Sequence, residues 1–402
     1  MHNLPAGWRL TTLGEISKSP GQYGSGAAAI KHDPNLPRYV RITDIGSNGE
    51  LNSNTLASID LGDAKPYMLA EGDLLFARSG ATVGKTYLYN KADGPCAYAG
   101  YVIKFAIDSS AALPAYARYW TQSEKYWSWV NSTLRGGAQP NINAVDYSRH
   151  LLPIPPLTKQ RRIIEILHAV DRQLSDSTKE LAKLTLLRGG LVEDSIAAAI
   201  ASSDRYRRLG ELAQIASGVT LGSEPTGGSS IELPYLRVAN VQNDYFDTSE
   251  MKLVRILRSQ AKHYSLRVGD LLLTEGGDWD KLGRGAVWDG HIQPCLYQNH
   301  LFRVRCDLRQ ILPEYLAMYT SSTKGRSYFA RIAKQTSNLA TINSTELKAM
   351  QVPVPPLDLQ RKLINSIQDC SDSIDKSSKL LAKMQSIKQG LIEDLLTGRV
   401  QV

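Results

Sequence analysis

Two decapeptides standing 200 residues apart constrain this chain more than any other feature. Residues 153–162 read Pro-Ile-Pro-Pro-Leu-Thr-Lys-Gln-Arg-Arg, and residues 353–362 read Pro-Val-Pro-Pro-Leu-Asp-Leu-Gln-Arg-Lys. Each copy closes a turn-rich region and opens a helical pattern. Further on, Gly190-Leu191-Val192-Glu193-Asp194 recurs as Gly390-Leu391-Ile392-Glu393-Asp394. A repeat of this size implies a domain followed by a helix, present twice, and so a binding task present twice.

The duplication runs through the whole chain. Leu13-Gly14-Glu15-Ile16 matches Leu209-Gly210-Glu211-Leu212, and Tyr39-Val40-Arg41-Ile42 matches Tyr235-Leu236-Arg237-Val238. Gly72-Asp73-Leu74-Leu75 matches Gly269-Asp270-Leu271-Leu272, and Leu113-Pro114-Ala115-Tyr116 matches Leu312-Pro313-Glu314-Tyr315. The offset grows slowly, as it does when loops are inserted into a shared framework. Runs such as Tyr39–Ile45, Asp73–Ala77 and Tyr101–Ile107, bounded by Gly, Asp and Pro, predict short strands. Leu113–Ser123 and Leu312–Ser321 predict amphipathic helices with proline at their starts. The expected fold class is α+β. The expected domains are residues 1–152 and 203–352, followed by helices in 153–202 and 353–402.

Behind each proline motif an apolar residue recurs at alternating spacings of four and three. Ile163, Leu167, Val170, Leu174, Leu181, Leu184 and Leu191 form the first series. Leu363, Ile367, Cys370, Ile374, Leu381, Met384 and Leu391 form the second. Both are interrupted at matching places, by Ser177 and Arg188 and by Ser377 and Lys388. This is a heptad seam, and the matched defects imply that the helices pack on each other or on equivalent partners. Spanning roughly 35 residues, each helix would be about 50 Å long.

Chemistry-bearing motifs are missing. Ser79-Gly80-Ala81-Thr82-Val83-Gly84-Lys85-Thr86 resembles a phosphate-binding loop but has Ser where glycine is needed, and its copy, Gly276-Gly277-Asp278-Trp279-Asp280-Lys281-Leu282-Gly283-Arg284, is no phosphate loop. Neither Pro-Pro pair carries the polar and aromatic neighbours with which amino-methyltransferases hold a flipped base. Asp63-Ala64-Lys65, an echo of a nuclease site, becomes Gln260-Ala261-Lys262 in the copy. No His spacing suits zinc, no GxSxG turn supports a hydrolase, and the four cysteines are far apart with no CxxC pair. The chain has no leader-like N-terminus or membrane-length apolar run. Its net charge of +8 permits a polyanionic partner without requiring one. A duplicated framework without a duplicated acid, base or nucleophile points to binding.

Over essentially its whole length the chain resembles the specificity subunits of type I restriction-modification enzymes. The resemblance rests on domain, Pro-x-Pro-Pro-Leu-x-x-Gln-Arg helix, domain, and the same helix again. It rests also on the Gly-Asp-Leu-Leu turn-strand and the Leu-Pro-x-Tyr helix. It implies two repeated target-recognition domains, each reading half of a bipartite asymmetric sequence in double-stranded DNA. It implies that the two long helices form an antiparallel coiled coil that spaces the domains and docks two methyltransferase (modification) subunits. It implies no cofactor on this chain: S-adenosylmethionine and ATP belong to the modification subunits and to a restriction/translocase subunit. The expected chain is non-catalytic, away from membranes and cytoplasmic. A strut of about 50 Å would reach half-sites at most roughly 15 base pairs apart. The competing reading is a coiled-coil scaffold that only joins proteins.

The internal comparison also marks the candidate readers, since the framework agrees between copies while loops differ. Arg78, Lys85, Arg135, Lys281 and Arg284 suit phosphates or guanine. Gln22, Gln139, Asn141, Gln335 and Asn338 suit adenine edges. Tyr23 and Trp279 are candidates for stacking if a base is flipped. Ser79, Thr220, Glu275 and Lys334 complete the set, with Arg78 facing Glu275 across the repeat as a reversal of charge. Residues 20–24 are matched here to 218–222. Arg41 and Arg237 are read as solvated strand residues and Trp279, alternatively, as a loop anchor. Unlike loops on like frameworks predict unlike half-sites.

Overall fold

The computed structural model describes residues 4–46, 48–52, 54–134, 140–203, 205–220, 222, 229–277, 281–335 (335 without its side chain) and 340–402. The chain forms two compact units that do not follow chain order: residues 1–179 with 379–402, and residues 180–378. Each unit thus holds one α+β domain, the root of the long helix that follows it, and the tail of the other long helix.

The frameworks are the same strand by strand. In the first unit a four-stranded antiparallel sheet runs Gln22–Tyr23, Val102–Ala106, Asp73–Ala77, Thr86–Leu88. In the second it runs Ala213–Ser217, Leu301–Cys306, Leu271–Thr274, Gly285–Val287. Leu74 faces Phe105 and Leu271 faces Val304, the same register. Asp73–Ala77 and Leu271–Thr274 are buried at every position, which is why Leu74–Ala77 and Leu271–Leu273 are apolar without alternation. Beside each lies a smaller sheet joined by a parallel pair, Tyr39 opposite Ala97 and Tyr235 opposite Leu296.

The strand expected over Tyr39–Ile45 stops at Val40. Asp44 is the cause. Its buried carboxylate accepts from the amide of Arg41 at 2.9 Å and from that residue's Nε at 3.0 Å, which winds Ile42–Asp44 into one 3-10 turn. In the copy Asn240 accepts from the Arg237 amide at 2.9 Å. Arg41 and Arg237 are therefore turn anchors, not solvated strand residues.

The repeated motifs turn out to be two halves of one joint. Gln160, on the first long helix (Leu157–Ala201), is fully buried. Its side-chain carbonyl accepts from the Leu113 amide at 2.7 Å and its amide donates to the Pro155 carbonyl at 2.9 Å. Gln360, on the second long helix (Leu357–Leu396), does the same with Leu312 at 2.9 Å and Pro355 at 2.8 Å. Tyr116 and Tyr315 then donate their hydroxyls to the carbonyls of Pro153 and Pro353 at 2.8 and 2.9 Å. Leu-Pro-x-Tyr and Pro-x-Pro-Pro-Leu-x-x-Gln recur together because each satisfies the other's buried polar groups.

The Gly-Leu-x-Glu-Asp repeat is a second joint. Glu393 accepts from the amide of Glu124, the first residue of helix Glu124–Leu134, at 2.6 Å. Glu193 accepts from the amide and hydroxyl of Thr323, opening helix Thr323–Ile332, at 2.7 and 2.8 Å. A carboxylate there meets the orphan donors and positive dipole end of a helix. Each helix tail thereby clamps the domain of its unit.

Within each unit the two helical segments run antiparallel. Lys388 meets Asp171 and Ser177 faces Met384 in the first; Arg188 donates to Ser371 in the second. The seam is buried at Ile163, Leu167 and Ile367 and half-buried at its other members. The helices are longer than the roughly 35 residues expected: 45 and 40. The extra turns carry Ile196 and Ala199 into the second core and Ile392, Leu395 and Leu396 into the first. Those contacts leave the heptad pattern because they face a domain, not a helix. No helix among the described residues is long and apolar enough to cross a membrane.

Candidate nucleic-acid interface

In the first domain the buried strand Asp73–Ala77 delivers Arg78 to the end of the sheet. Its backbone is fixed from both sides: the Arg78 amide donates to Tyr101 at 3.1 Å and its carbonyl accepts from Ile142 at 2.9 Å. Ser79 bridges to Asn141, and the Gly80 amide donates to the Pro140 carbonyl at 3.3 Å. The side chain is fixed as well. Arg78 Nε donates to Asn141 Oδ1 at 3.2 Å, and its guanidinium lies 4.7 Å from the centre of the Tyr23 ring. Tyr23 accepts through its hydroxyl from the Ala144 amide at 3.1 Å. Such a stack holds the guanidinium plane while leaving its terminal nitrogens outward. Gln22 stands exposed beside Tyr23 on the same edge strand.

The structure thus gathers Tyr23, Arg78, Ser79 and Asn141, residues far apart in sequence, while Gln22 precedes Tyr23 on a strand whose successive side chains face opposite sides. Lys85 is not among them. Its carbonyl accepts from Ala77, and its side chain lines a cavity of about 380 Å³ with Asn48, Gln122, Trp127 and Lys388. Arg135 and Gln139 lie outside the described residues. Tyr101 was missed by sequence reading; it is 64 % exposed at the same corner.

The second domain builds the same corner with different side chains. The Glu275 amide donates to the carbonyl of His300 at 3.0 Å, and its own carbonyl accepts from Ile342 at 2.9 Å, reproducing the Arg78 backbone bonds. Here Glu275 Oε2 pairs with His300 Nδ1 at 2.7 Å. Gly276 and Gly277 pair with Thr341 and Ala340, and Lys334 with Thr341. The Lys281 carbonyl accepts from the Thr274 hydroxyl at 2.7 Å, and Arg284 follows Gly283 as Lys85 follows Gly84. Thr274 donates to the Arg284 carbonyl as Ala77 does to Lys85, both at 2.9 Å. Trp279, Asn338 and the side chain of Gln335 lie outside the described residues.

One loop pairing is corrected. Gly24, expected to match Gly222, matches Gly218. A side chain at Gly24 would meet the carbonyl oxygens of Tyr98 and Ala99, and one at Gly218 those of Tyr297 and Gln298, the same two framework positions. Ser217 therefore stands where Tyr23 does, and Thr220, exposed, lies beyond the matched segment. Among the described residues, a Tyr, Phe or Trp ring lies against the corner residue in the first domain only.

The groups whose protonation is displaced lie elsewhere. Burial pushes the Cys96 thiol up to about 11 and those of Cys295 and Cys306 to about 12, so all three are thiols, not thiolates. Burial lowers His150 to about 4 and raises Tyr116, Tyr126 and Tyr147, all packed in the first core. Among the described residues no group of three His, Cys, Asp or Glu converges as metal ligands. The corners present hydrogen-bonding side chains on a rigid frame, an arrangement for reading a surface.

Residues 5–186 match the family model described as the type I restriction modification DNA specificity domain. The chain is 26% identical over 302 residues to the type I restriction enzyme EcoKI specificity subunit of Escherichia coli K12, covering 70% of this chain and 64% of that protein. It is 20% identical over 420 residues to the StySPI specificity subunit of Salmonella potsdam, covering 99% and 90%. A solved structure reported for complex assembly and conformational transition of the type I R-M system superposes over 100% of both chains, with a TM-score of 0.64 at 19% identity.

Proposed function

We propose, for a chain that belongs to the type I restriction-modification specificity subunits, that it is the DNA-reading component of such a complex, each domain addressing one half of a bipartite, asymmetric target. The observation that carries this reading is the pair of corners: one backbone geometry presenting Arg78 on Tyr23 in one domain and Glu275 on His300 in the other. A framework held constant while its outward side chains change is what sequence readout at two different half-sites requires.

The chain carries no methyl-transfer or cleavage chemistry of its own in this reading. S-adenosylmethionine and ATP act on partner subunits: two modification subunits docked on the long helices, and a restriction subunit. The helices set the spacing between half-sites, and the complex works in the cytoplasm, where the DNA is. The test is reconstitution. The chain alone should bind one DNA sequence over scrambled DNA in a salt-dependent way and leave it unmethylated, and adding modification subunits should produce methylation at that sequence. A scaffold would show no preference between the two DNAs.

A further inference from the structure

We propose that the two corner residues read bases of opposite hydrogen-bonding character: Arg78 a guanine in one half-site, and Glu275 the exocyclic amino group of a cytosine in the other. The inference rests on the DNA-reading function above and adds the base class. Arg78 and Glu275 are the same structural position, as their matching backbone bonds show. Neither side chain is left to swing. Arg78 spends Nε on Asn141 and is stacked on Tyr23, so its terminal nitrogens form a preset pair of donors. That pair matches the two acceptors, O6 and N7, on the major-groove edge of guanine. A phosphate contact needs no such orientation.

Glu275 presents the opposite pattern. One carboxylate oxygen is held by His300, and Oε1 has no partner among the described residues. A carboxylate gains nothing from the phosphate backbone, which repels it; it gains only where a base offers a donor. Cytosine N4 is such a donor. Adenine N6 is another, but adenine sets the acceptor N7 beside it, and that nitrogen would repel the carboxylate. The choice therefore falls on cytosine.

The experiment is selection of bound sequences from a randomised duplex library by the full chain assembled with modification subunits, comparing wild type with Arg78→Gln, Glu275→Gln and Glu275→Arg. Thermal melting of each variant establishes that it is folded. Arg78→Gln should lose about ten-fold or more of its discrimination at one guanine, in one half-site only. Glu275→Gln should relax one cytosine in the other half-site, and Glu275→Arg should turn that preference towards guanine. Base preferences unchanged in all three variants, or affinity lost equally for every sequence, would overturn the inference while leaving the DNA-reading function standing. A wild-type assembly that enriches no bipartite sequence would overturn both.

Discussion

Lys388 on the second long helix places its ammonium 2.7 Å from the Asp171 carboxylate on the first, and the same station in the other unit holds Arg188 against Ser371 at 2.8 Å. The defects at 188 and 388 in the heptad seam are thus one cross-helix contact made twice. Asp171 also accepts the Tyr119 hydroxyl at 2.5 Å, so its carboxylate joins both helices to the first domain. Replacing Asp171 with Ala strands the buried Tyr119 hydroxyl and the half-buried cations of Lys388 and Arg118. The melting midpoint should fall by an amount equivalent to about 1–3 kcal/mol. An unchanged midpoint would mean that the network contributes nothing.

Gln160 tests the proline joint. Gln160→Leu keeps the volume but leaves the Leu113 amide and the Pro155 carbonyl without their buried partner. The expected loss is about 2 kcal/mol, and Gln360→Leu should cost a similar amount in the second unit. Urea titration of each variant measures it, and a neutral Gln160→Leu would make the motif's glutamine dispensable.

Gly283 follows the second corner with φ +66°, and a methyl group there would come within 2.3 Å of Phe329. Gly283→Ala combines left-handed strain with overpacking and should cost about 3 kcal/mol. Gly84→Ala, at φ +86° against Val130, should behave alike. Thermal unfolding decides, and tolerance at both positions would mean that the corner does not depend on its glycines.

His150 gives the first unit a pH dependence. The ring is 6 % exposed, accepts from the Trp120 indole at 2.8 Å and packs 4.3 Å from the Trp129 ring centre. Burial lowers its pKa from 6.5 to about 4. A lowered folded pKa means the unfolded chain takes up the proton first. The contribution of the neutral ring is therefore whole above pH 6.5 and is lost as pH falls towards 4, by up to roughly 3 kcal/mol. Melting wild type and His150→Gln between pH 7.5 and 4.5 checks this: the variant should have the flatter profile, and parallel profiles would contradict the assignment.

What the sequence made legible follows from periodicity and repetition. The heptad seam, the strand Asp73–Ala77 and the helices at Pro114 and Pro313 were readable because local pattern and burial coincide there. The end of the strand at Val40 was not, since one buried carboxylate at Asp44 overrides the run of β-formers. The match of Gly24 to Gly218 was hidden because only a carbonyl approach in three dimensions distinguishes that glycine from Gly222. The corner itself was half legible. The charge reversal between Arg78 and Glu275 shows in the aligned copies, but the Asn141 that holds Arg78 stands 63 residues away. Tyr101 and His300 drew no notice because each lies at the entrance to a strand and differs in kind from its counterpart.

In the proposed function one framework, used twice, reads two different half-sites. The most direct measurement is the sequence methylated in DNA exposed to the full chain assembled with modification subunits. Two unlike half-sites separated by a fixed gap are expected, with substitutions at Arg78 altering only one and substitutions at Glu275 only the other. A single uninterrupted site, or two identical half-sites, would contradict it.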